Sequence, residues 1–209
     1  MTLKKLSSLL NNDHAPIKYY KIADSMNQNE LLYFLSVSDD KRKDYEGLTK
    51  EGREEYISDS AQIYIPLIYV DELYERYNNE FAVSYDYSGT MERIKKIVEV
   101  TEENEKILFA SYLILHEFGH WHSFIEKGRK PFLYNGSCED EYRAVYELKK
   151  KIIGMDKSKL SIYKKKKILK DYFLRYHLIS NEKEADEYAD MNLKRAYEII
   201  KENLGGESV

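Results

Sequence analysis

The hydrophobic pattern divides the chain into a mixed first half and a helical second half. In residues 1–100, short apolar runs alternate with polar turn residues, and the runs at 31–37 and 63–70 are long enough for strands. Pro66 cannot donate a ladder hydrogen bond, so it restricts the second run to an edge strand or a strand-to-helix junction. The run at 94–100 fits a strand or the preceding turn of a helix. A small sheet is therefore expected in this half.

The clearest predicted element is one long helix in the segment 101–128, covering roughly residues 102 to 127. Thr101 can cap its start, the glutamates that follow suit the positive end of the helix dipole, and Lys127-Gly128 predicts its end. The middle of this segment, ILFASYLIL at 107–115, is apolar on nearly every side. Such a pattern is typical of a helix buried within a domain.

Three further helices are predicted, at about 139–153, 157–178 and 181–203, with breaks near Gly154 and at Gly205-Gly206. Only nine glycines and three prolines occur in 209 residues, which disfavours long disordered linkers. We therefore expect one domain spanning residues 1–209. Its predicted class is α+β, helix-dominated, with a small sheet packed on the long helix.

Charge and composition narrow the environment and the partners. The net charge of −4 gives no reason to expect a nucleic acid or an anionic membrane as partner, although the lysine-rich stretch 149–170 leaves a nucleic-acid-binding module as a minor alternative. No run of about 18 apolar residues and no signal-peptide pattern occurs, so no membrane association is expected. The single cysteine, Cys138, excludes an intrachain disulfide and a site built from several thiolates. These features favour a cytoplasmic protein.

The candidate chemistry lies in the middle of the long helix, where residues 116–120 read HEFGH. On an α-helix, residues four apart leave the same face one turn apart, so His116 and His120 can bind one ion. Glu117 lies one position round the helix, where its carboxylate can act as general base on a water activated by the metal. Two partnered core histidines are the alternative interpretation, but two imidazoles and a carboxylate within one apolar turn are costly without a common partner.

A catalytic zinc usually takes three protein ligands, so a further ligand is needed. Glu182 is the favoured candidate because Asp186 follows it four residues later, on the same helix face. Asp186 could then accept the second ring N–H of a ligating histidine and fix its orientation. Glu139 and Glu141 are the rival third ligands, and an acidic solvated helix face is the alternative reading of residues 182–190.

HEFGH followed by NEKEAD resembles the gluzincin metallopeptidases, whose pattern is HExxH and, downstream, N-E-x-x-x-D. The segment EKEADEYA at 182–189 is also similar to the E-x-E-A-[ND]-x-[FY]-A segment of intracellular ImmA/IrrE-type peptidases, which cleave regulatory proteins. The resemblance covers these two helices only. It implies a zincin-like domain that binds one Zn²⁺ per chain through His116, His120 and Glu182, and a protein or peptide substrate inside the cell.

The spacing departs from the gluzincin pattern, because 61 residues separate His120 from Glu182. An inserted pair of helices at 135–178 would account for the excess, with the third ligand on a last helix at 180–204. His122 is expected to point away from the metal, whereas His177 is either a capping or exposed residue or a donor near the cleft. The main alternative to a peptidase is a catalytically inactive zinc-binding protein with a regulatory or interaction role.

Overall fold

The computed structural model describes residues 1–24, 31–79, 84–136, 138–154 and 161–205. The strands are β1 (Ile17–Tyr20), β2 (Tyr33–Leu35) and β3 (Gln62–Pro66). The helices are α1 (Leu3–Leu10), α2 (Asp39–Glu46), α3 (Lys50–Glu55), α4 (Val70–Asn79), α5 (Ser84–Ile97), α6 (Glu105–Glu126), α7 (Pro131–Gly136), α8 (Glu139–Gly154), α9 (Ile162–Tyr176) and α10 (Ser180–Gly205). The predicted helix-dominated α+β class with a small sheet is therefore confirmed. Across the described ranges, no helix is both long and apolar enough to span a membrane.

The sheet is mixed, with the strand order β1-β3-β2. Strand β1 runs parallel to β3, and β2 runs antiparallel to it. Because side chains alternate along a strand, Ile63 and Ile65 share one face of β3, where both are fully buried in the core around α6. Tyr64 faces the other way and stacks on Tyr33 of β2, with ring centroids 4.7 Å apart.

Of the two structures predicted for the Pro66 run, the edge strand is wrong, since β3 is the central strand. Pro66 is the last residue of β3, so its missing N–H falls where the ladder ends. The next donor is Leu67, whose N–H bonds to the carbonyl of Tyr20 at 2.8 Å. The other predicted possibility, a strand-to-helix junction, agrees with the structure because α4 begins at Val70. The run at 94–100 belongs to the end of α5 and the bend after it, which is the helical alternative.

Helix α6 runs through the core. Its apolar middle is buried as predicted, and Leu108, Phe109 and Ile114 have no exposed surface. The helix packs against the sheet on one side and against α1, α4, α5 and α10 on others. A helix enclosed by neighbours in this way can hold polar side chains at fixed positions, because the surrounding core leaves little room for other rotamers.

The two ends of α6 differ in how well the sequence predicts them. The helix begins at Glu105, later than predicted, because the Asn104 side chain accepts a hydrogen bond from the N–H of Thr101 at 2.8 Å and holds the preceding residues in a turn. Thr101 is therefore not the residue that caps the helix. The C-terminal end agrees with the prediction: α6 ends at Glu126, and Gly128 adopts the left-handed conformation (φ 71°) that glycine adopts without strain.

Helices α6 and α10 approach each other closely at Gly119. A Cβ atom on Gly119 would lie 2.7 Å from Cα of Ala185 and 2.8 Å from its carbonyl oxygen, both shorter than a real Cβ contact. Only glycine therefore allows the two helices to lie at this separation. The close approach holds the N-terminal part of α10, with Glu182 and Asp186, against the HExxH residues of α6.

The segment between the two motif helices, interpreted above as an insertion, contains α7, α8 and α9, and α8 ends at Gly154 as expected. The predicted start of α9 at 157 lies outside the described residues, and its helix ends at Tyr176. A separate small apolar cluster of Cys138, Val145 and Ile179 packs where the insertion meets the start of α10. The segment between α6 and α10 thus has a small apolar cluster beside the main core.

We expect Gly119→Ala to destabilise the protein by about 1–3 kcal/mol, because the added methyl group overlaps the α10 backbone and neither helix can yield cheaply. Urea denaturation followed by circular dichroism measures this change. Gly89→Ala is the matched control, since Gly89 lies inside α5 and a Cβ atom there would meet no described residue within 4 Å. That control should leave stability unchanged or raise it by up to about 1 kcal/mol. Equal effects of both substitutions would contradict the importance of the close approach.

Candidate metal centre

Three side chains from α6 and α10 converge on one point. The Nε2 atoms of His116 and His120 lie 3.1 Å apart, and Oε2 of Glu182 lies 3.3 Å from the first and 3.5 Å from the second. Ligands about 2.0–2.1 Å from a tetrahedral zinc ion are separated by about 3.3–3.4 Å, so the three observed separations fit one face of such a tetrahedron. Among the described residues, this is the His, Cys, Asp and Glu group able to hold a metal ion.

The rival third ligands lie elsewhere. Glu141 accepts hydrogen bonds from the backbone N–H of Ser180 at 2.8 Å and from its hydroxyl at 3.1 Å, so it fixes the start of α10. Glu139 is an exposed residue that pairs with Arg143 one helical turn later. The geometry therefore favours Glu182 over both glutamates.

The carboxylate of Glu182 has two different environments. Its Oε1 accepts a hydrogen bond from the hydroxyl of Tyr142 at 2.6 Å. Its Oε2, which faces the two imidazoles, is buried and makes no hydrogen bond to any residue that the structure describes. Burial would raise the pKa of Glu182, but the neighbouring His120 and His116 outweigh this effect and hold the pKa well below its usual range. A buried, ionised oxygen of this kind suits a cation.

Each histidine is oriented through its other ring nitrogen. Nδ1 of His116 lies 3.0 Å from Oδ1 of Asp186, and because a carboxylate only accepts, Nδ1 carries the proton. The lone pair of Nε2 then faces Glu182. Nδ1 of His120 lies 2.9 Å from the hydroxyl of Tyr134, and a proton on this Nδ1 likewise leaves the Nε2 lone pair available. Such partners fix the tautomer and direction of metal-binding histidines.

Asp186 is the centre of a wider network. Its Oδ2 lies 3.0 Å from Nδ1 of His177 and 3.4 Å from Nη1 of Arg93. The Nη2 atom of Arg93 pairs with Asp190 at 2.7 Å. Burial would raise the pKa of Asp186, but the hydrogen bonds from His116 and His177 outweigh burial and hold the pKa well below its usual range. The expected partnership of Asp186 with a histidine is thus present, and His177 takes a supporting position that its sequence context left open.

When both imidazoles are neutral, the site holds two buried negative charges, on Glu182 and Asp186. As whole residues, each is at most 3% exposed. Burial would lower the pKa of His116, but the hydrogen bond to Asp186 and the neighbouring Glu182 carboxylate raise the pKa well above the ordinary value. A proton on His116 and a divalent cation at Nε2 are therefore alternative ways to neutralise the same pocket. The residues present fit a metal such as zinc in donor type, charge and spacing.

Glu117 lies in the same turn of α6 as the two histidines and is 7% exposed. Its carboxylate is not part of the three-atom group. Burial raises the pKa of Tyr134, and the negative charges of Glu182 and Glu117 raise it further. Glu117 is therefore close to the residue that orients His120. His122, in contrast, is half-exposed, lies near Glu126 at 3.6 Å and points away from the centre as expected.

A second polar cluster joins α6 to α10 beside the centre. Nζ of Lys127 donates to Ser123 at 2.7 Å and to Glu184 at 2.6 Å, and the Ser123 hydroxyl also bonds to Glu184. The side chain of Asn181 donates to the backbone carbonyl of Tyr134 at 2.8 Å. These bonds fix the residues on either side of Glu182 in sequence, Asn181 and Glu184, and so limit the movement of α10 along α6.

We expect Glu182→Ala to abolish stoichiometric zinc binding, because it removes one of three converging ligands and leaves a pair of histidines. Glu141→Ala, which removes only the hydrogen bonds to Ser180, should still bind about one zinc per chain. Elemental analysis of both variants after zinc loading and desalting provides the measurement. Retention of zinc by Glu182→Ala with loss from Glu141→Ala would reverse the assignment of the third ligand.

We expect Asp186→Asn to weaken zinc binding by about 10–100-fold, since an amide holds the His116 N–H less strongly than a carboxylate. Competition with a chromophoric chelator measures the affinity. Asp190→Asn is the control because Asp190 shares the Arg93 contact but does not contact the histidine. Its affinity should change much less, and equal losses would indicate a general effect of charge rather than orientation of His116.

Comparison of the chain with protein-family models, with curated proteins and with solved structures finds no match.

Proposed function

We propose that this protein is a zinc-dependent metallopeptidase with a zincin-like domain, similar to the gluzincins, that hydrolyses peptide bonds of an intracellular protein target. The observation that carries the proposal is the convergence of His116, His120 and Glu182 on one point, with separations of 3.1, 3.3 and 3.5 Å. Supporting it, Glu117 is part of the same buried helical turn. The proposed cofactor is one Zn²⁺ per chain.

The proposed division of labour assigns one role to each residue. His116, His120 and Glu182 would hold the zinc, and Asp186 would keep His116 in the tautomer that binds it. A zinc ion bound in this way supplies Lewis-acid activation of a water molecule and of the substrate carbonyl. Glu117 would accept the proton of the attacking water and return it to the leaving amine, a contribution of about 10²–10⁴ in rate.

The sheet edge gives a reason to favour a peptide as substrate. Strand β2 lies at the edge of the three-stranded sheet, and the ring of Phe34 in its middle stacks near His120, with centroids 6.4 Å apart. An edge strand offers backbone N–H and C=O groups to an extended peptide. A peptide bound along β2 would therefore pass beside the candidate metal centre.

The alternative of an inactive zinc-binding protein is favoured by one observation, the low exposure of the site. The side chains of His116, His120 and Glu182 are 13%, 9% and 4% exposed, which would also suit a metal that stabilises the fold. The two functions differ at Glu117, because a stabilising metal does not need a general base. A substitution at this position separates them.

We expect Glu117→Gln to lower peptide cleavage by about 10²–10⁴-fold while zinc content stays at about one per chain, because the amide cannot accept the proton. The assay uses a peptide library derived from a proteome, with new N-termini identified by mass spectrometry. Glu126→Gln on the same helix is the matched control, since Glu126 is exposed and its partner is His122.

The peptidase is supported if the wild-type chain and Glu126→Gln cleave peptides and if this cleavage is lost with Glu117→Gln and with a zinc chelator. Zinc-bound chains that all lack cleavage, and whose melting temperature falls when the metal is removed, would favour the inactive zinc-binding alternative.

A further inference from the structure

The inserted helix α8 reaches the candidate metal centre through one side chain. The hydroxyl of Tyr142 donates to Oε1 of Glu182 at 2.6 Å, whereas the other carboxylate oxygen, Oε2, faces His116 and His120. The tyrosine therefore binds the half of the carboxylate that does not face the histidines. With this contact, Oε1 is bound by the protein, and Oε2 is left to face the metal position.

The division matters because a carboxylate binds a metal through one oxygen or through both. A catalytic zinc keeps one position open for water and substrate, and a second carboxylate oxygen bound beside the water would add a fifth ligand and crowd that position. A hydrogen bond from Tyr142 to Oε1 competes with metal binding by that oxygen. We infer that Tyr142 is a positioning residue that keeps Glu182 bound through Oε2 alone and so keeps the open position free. This inference rests on the proposed function.

The location of Tyr142 is fixed by its surroundings. Its ring packs against the small cluster of Cys138, Val145 and Ile179. The preceding residue, Glu141, accepts both hydrogen bonds from Ser180 at the start of α10. Consecutive residues of α8 thus bind Ser180 and Glu182 of α10. These two contacts fix the position of the Tyr142 hydroxyl relative to Glu182.

The direct test is the visible absorption spectrum of the cobalt-substituted chain, because Co²⁺ absorbs strongly when four-coordinate and weakly when a further ligand is added. Wild type, Tyr142→Phe and Tyr146→Phe are compared after loading with Co²⁺. Tyr142→Phe removes one hydroxyl and keeps the packed ring. Tyr146→Phe is the control, because Tyr146 lies one turn further along α8, is 57% exposed and has its ring beside Lys150.

For Tyr142→Phe we expect Co²⁺ to bind with unchanged stoichiometry but with a loss of visible absorption, and peptide cleavage by the zinc form to fall about 10–100-fold through kcat. Tyr146→Phe should match wild type in both.

A Tyr142→Phe spectrum equal to that of wild type would overturn the inference and leave the proposed function intact. Loss of Co²⁺ binding by a Tyr142→Phe chain that keeps its circular dichroism would also overturn it, because the hydroxyl would then be needed to hold the ligand at all. Failure of the wild-type chain to bind Co²⁺ or Zn²⁺ would overturn the proposed function and this inference together.

Discussion

Backbone contact between α6 and α10, at Gly119 and Ala185, sets the distance between the two helices that carry the candidate metal centre. The imidazoles belong to one helix and the carboxylate to the other, so every separation between Glu182 and a histidine depends on this contact. Metal sites accept errors in ligand distance of only about 0.2 Å. Space for one additional methyl group between the helices requires a larger shift than that. The glycine of HEFGH thus affects the candidate metal centre through helix packing.

The two buried carboxylates of α10 are stabilised in different ways. Asp186 accepts hydrogen bonds from His116 and His177 and pairs with Arg93, so the protein itself compensates the charge of this carboxylate. Glu182 receives one neutral hydroxyl at Oε1, and its Oε2 is left facing two imidazole nitrogens. An isolated buried charge costs several kcal/mol, so Glu182 is the carboxylate that a bound cation would stabilise more. This difference explains why one acid suits a ligand and the other suits a support, although they are four residues apart on the same helix.

The sequence predicts the elements that depend on local pattern. The buried helix around ILFASYLIL, its end at Gly128, and the face shared by Glu182 and Asp186 all follow from helical spacing within a few residues. It does not predict the strand order that places β3 in the centre, because strand pairing joins residues 27 to 46 positions apart. A proline at the last position of a strand also costs little. The start of α6 also differs, since the Asn104 side chain accepts the N–H of Thr101 and holds residues 101–104 in a turn.

The partners of the candidate site are the least predictable from sequence. Tyr134, Tyr142 and His177 come from α7, α8 and the end of α9, and their positions depend on the path of the whole insertion. With twenty tyrosines in the chain, composition gives no indication of which hydroxyl reaches a ligand. His177 follows a helix end, a place where histidines commonly bind the last carbonyls, so a capping role is also consistent with its position in the sequence.

The hydrogen bond from the Asn181 side chain to the backbone carbonyl of Tyr134 joins the two ends of the insertion. The chain therefore leaves the core and re-enters it at nearly one point, and the segment between Tyr134 and Asn181 forms a closed loop. The length of such a loop has only a weak, logarithmic effect on the entropy of folding. Changes in the length of this segment therefore cost little in folding entropy, provided that the HExxH helix and α10 keep their relative positions. Two contacts limit such changes, because this segment supplies the Tyr142 hydroxyl to Glu182 and the His177 ring to Asp186.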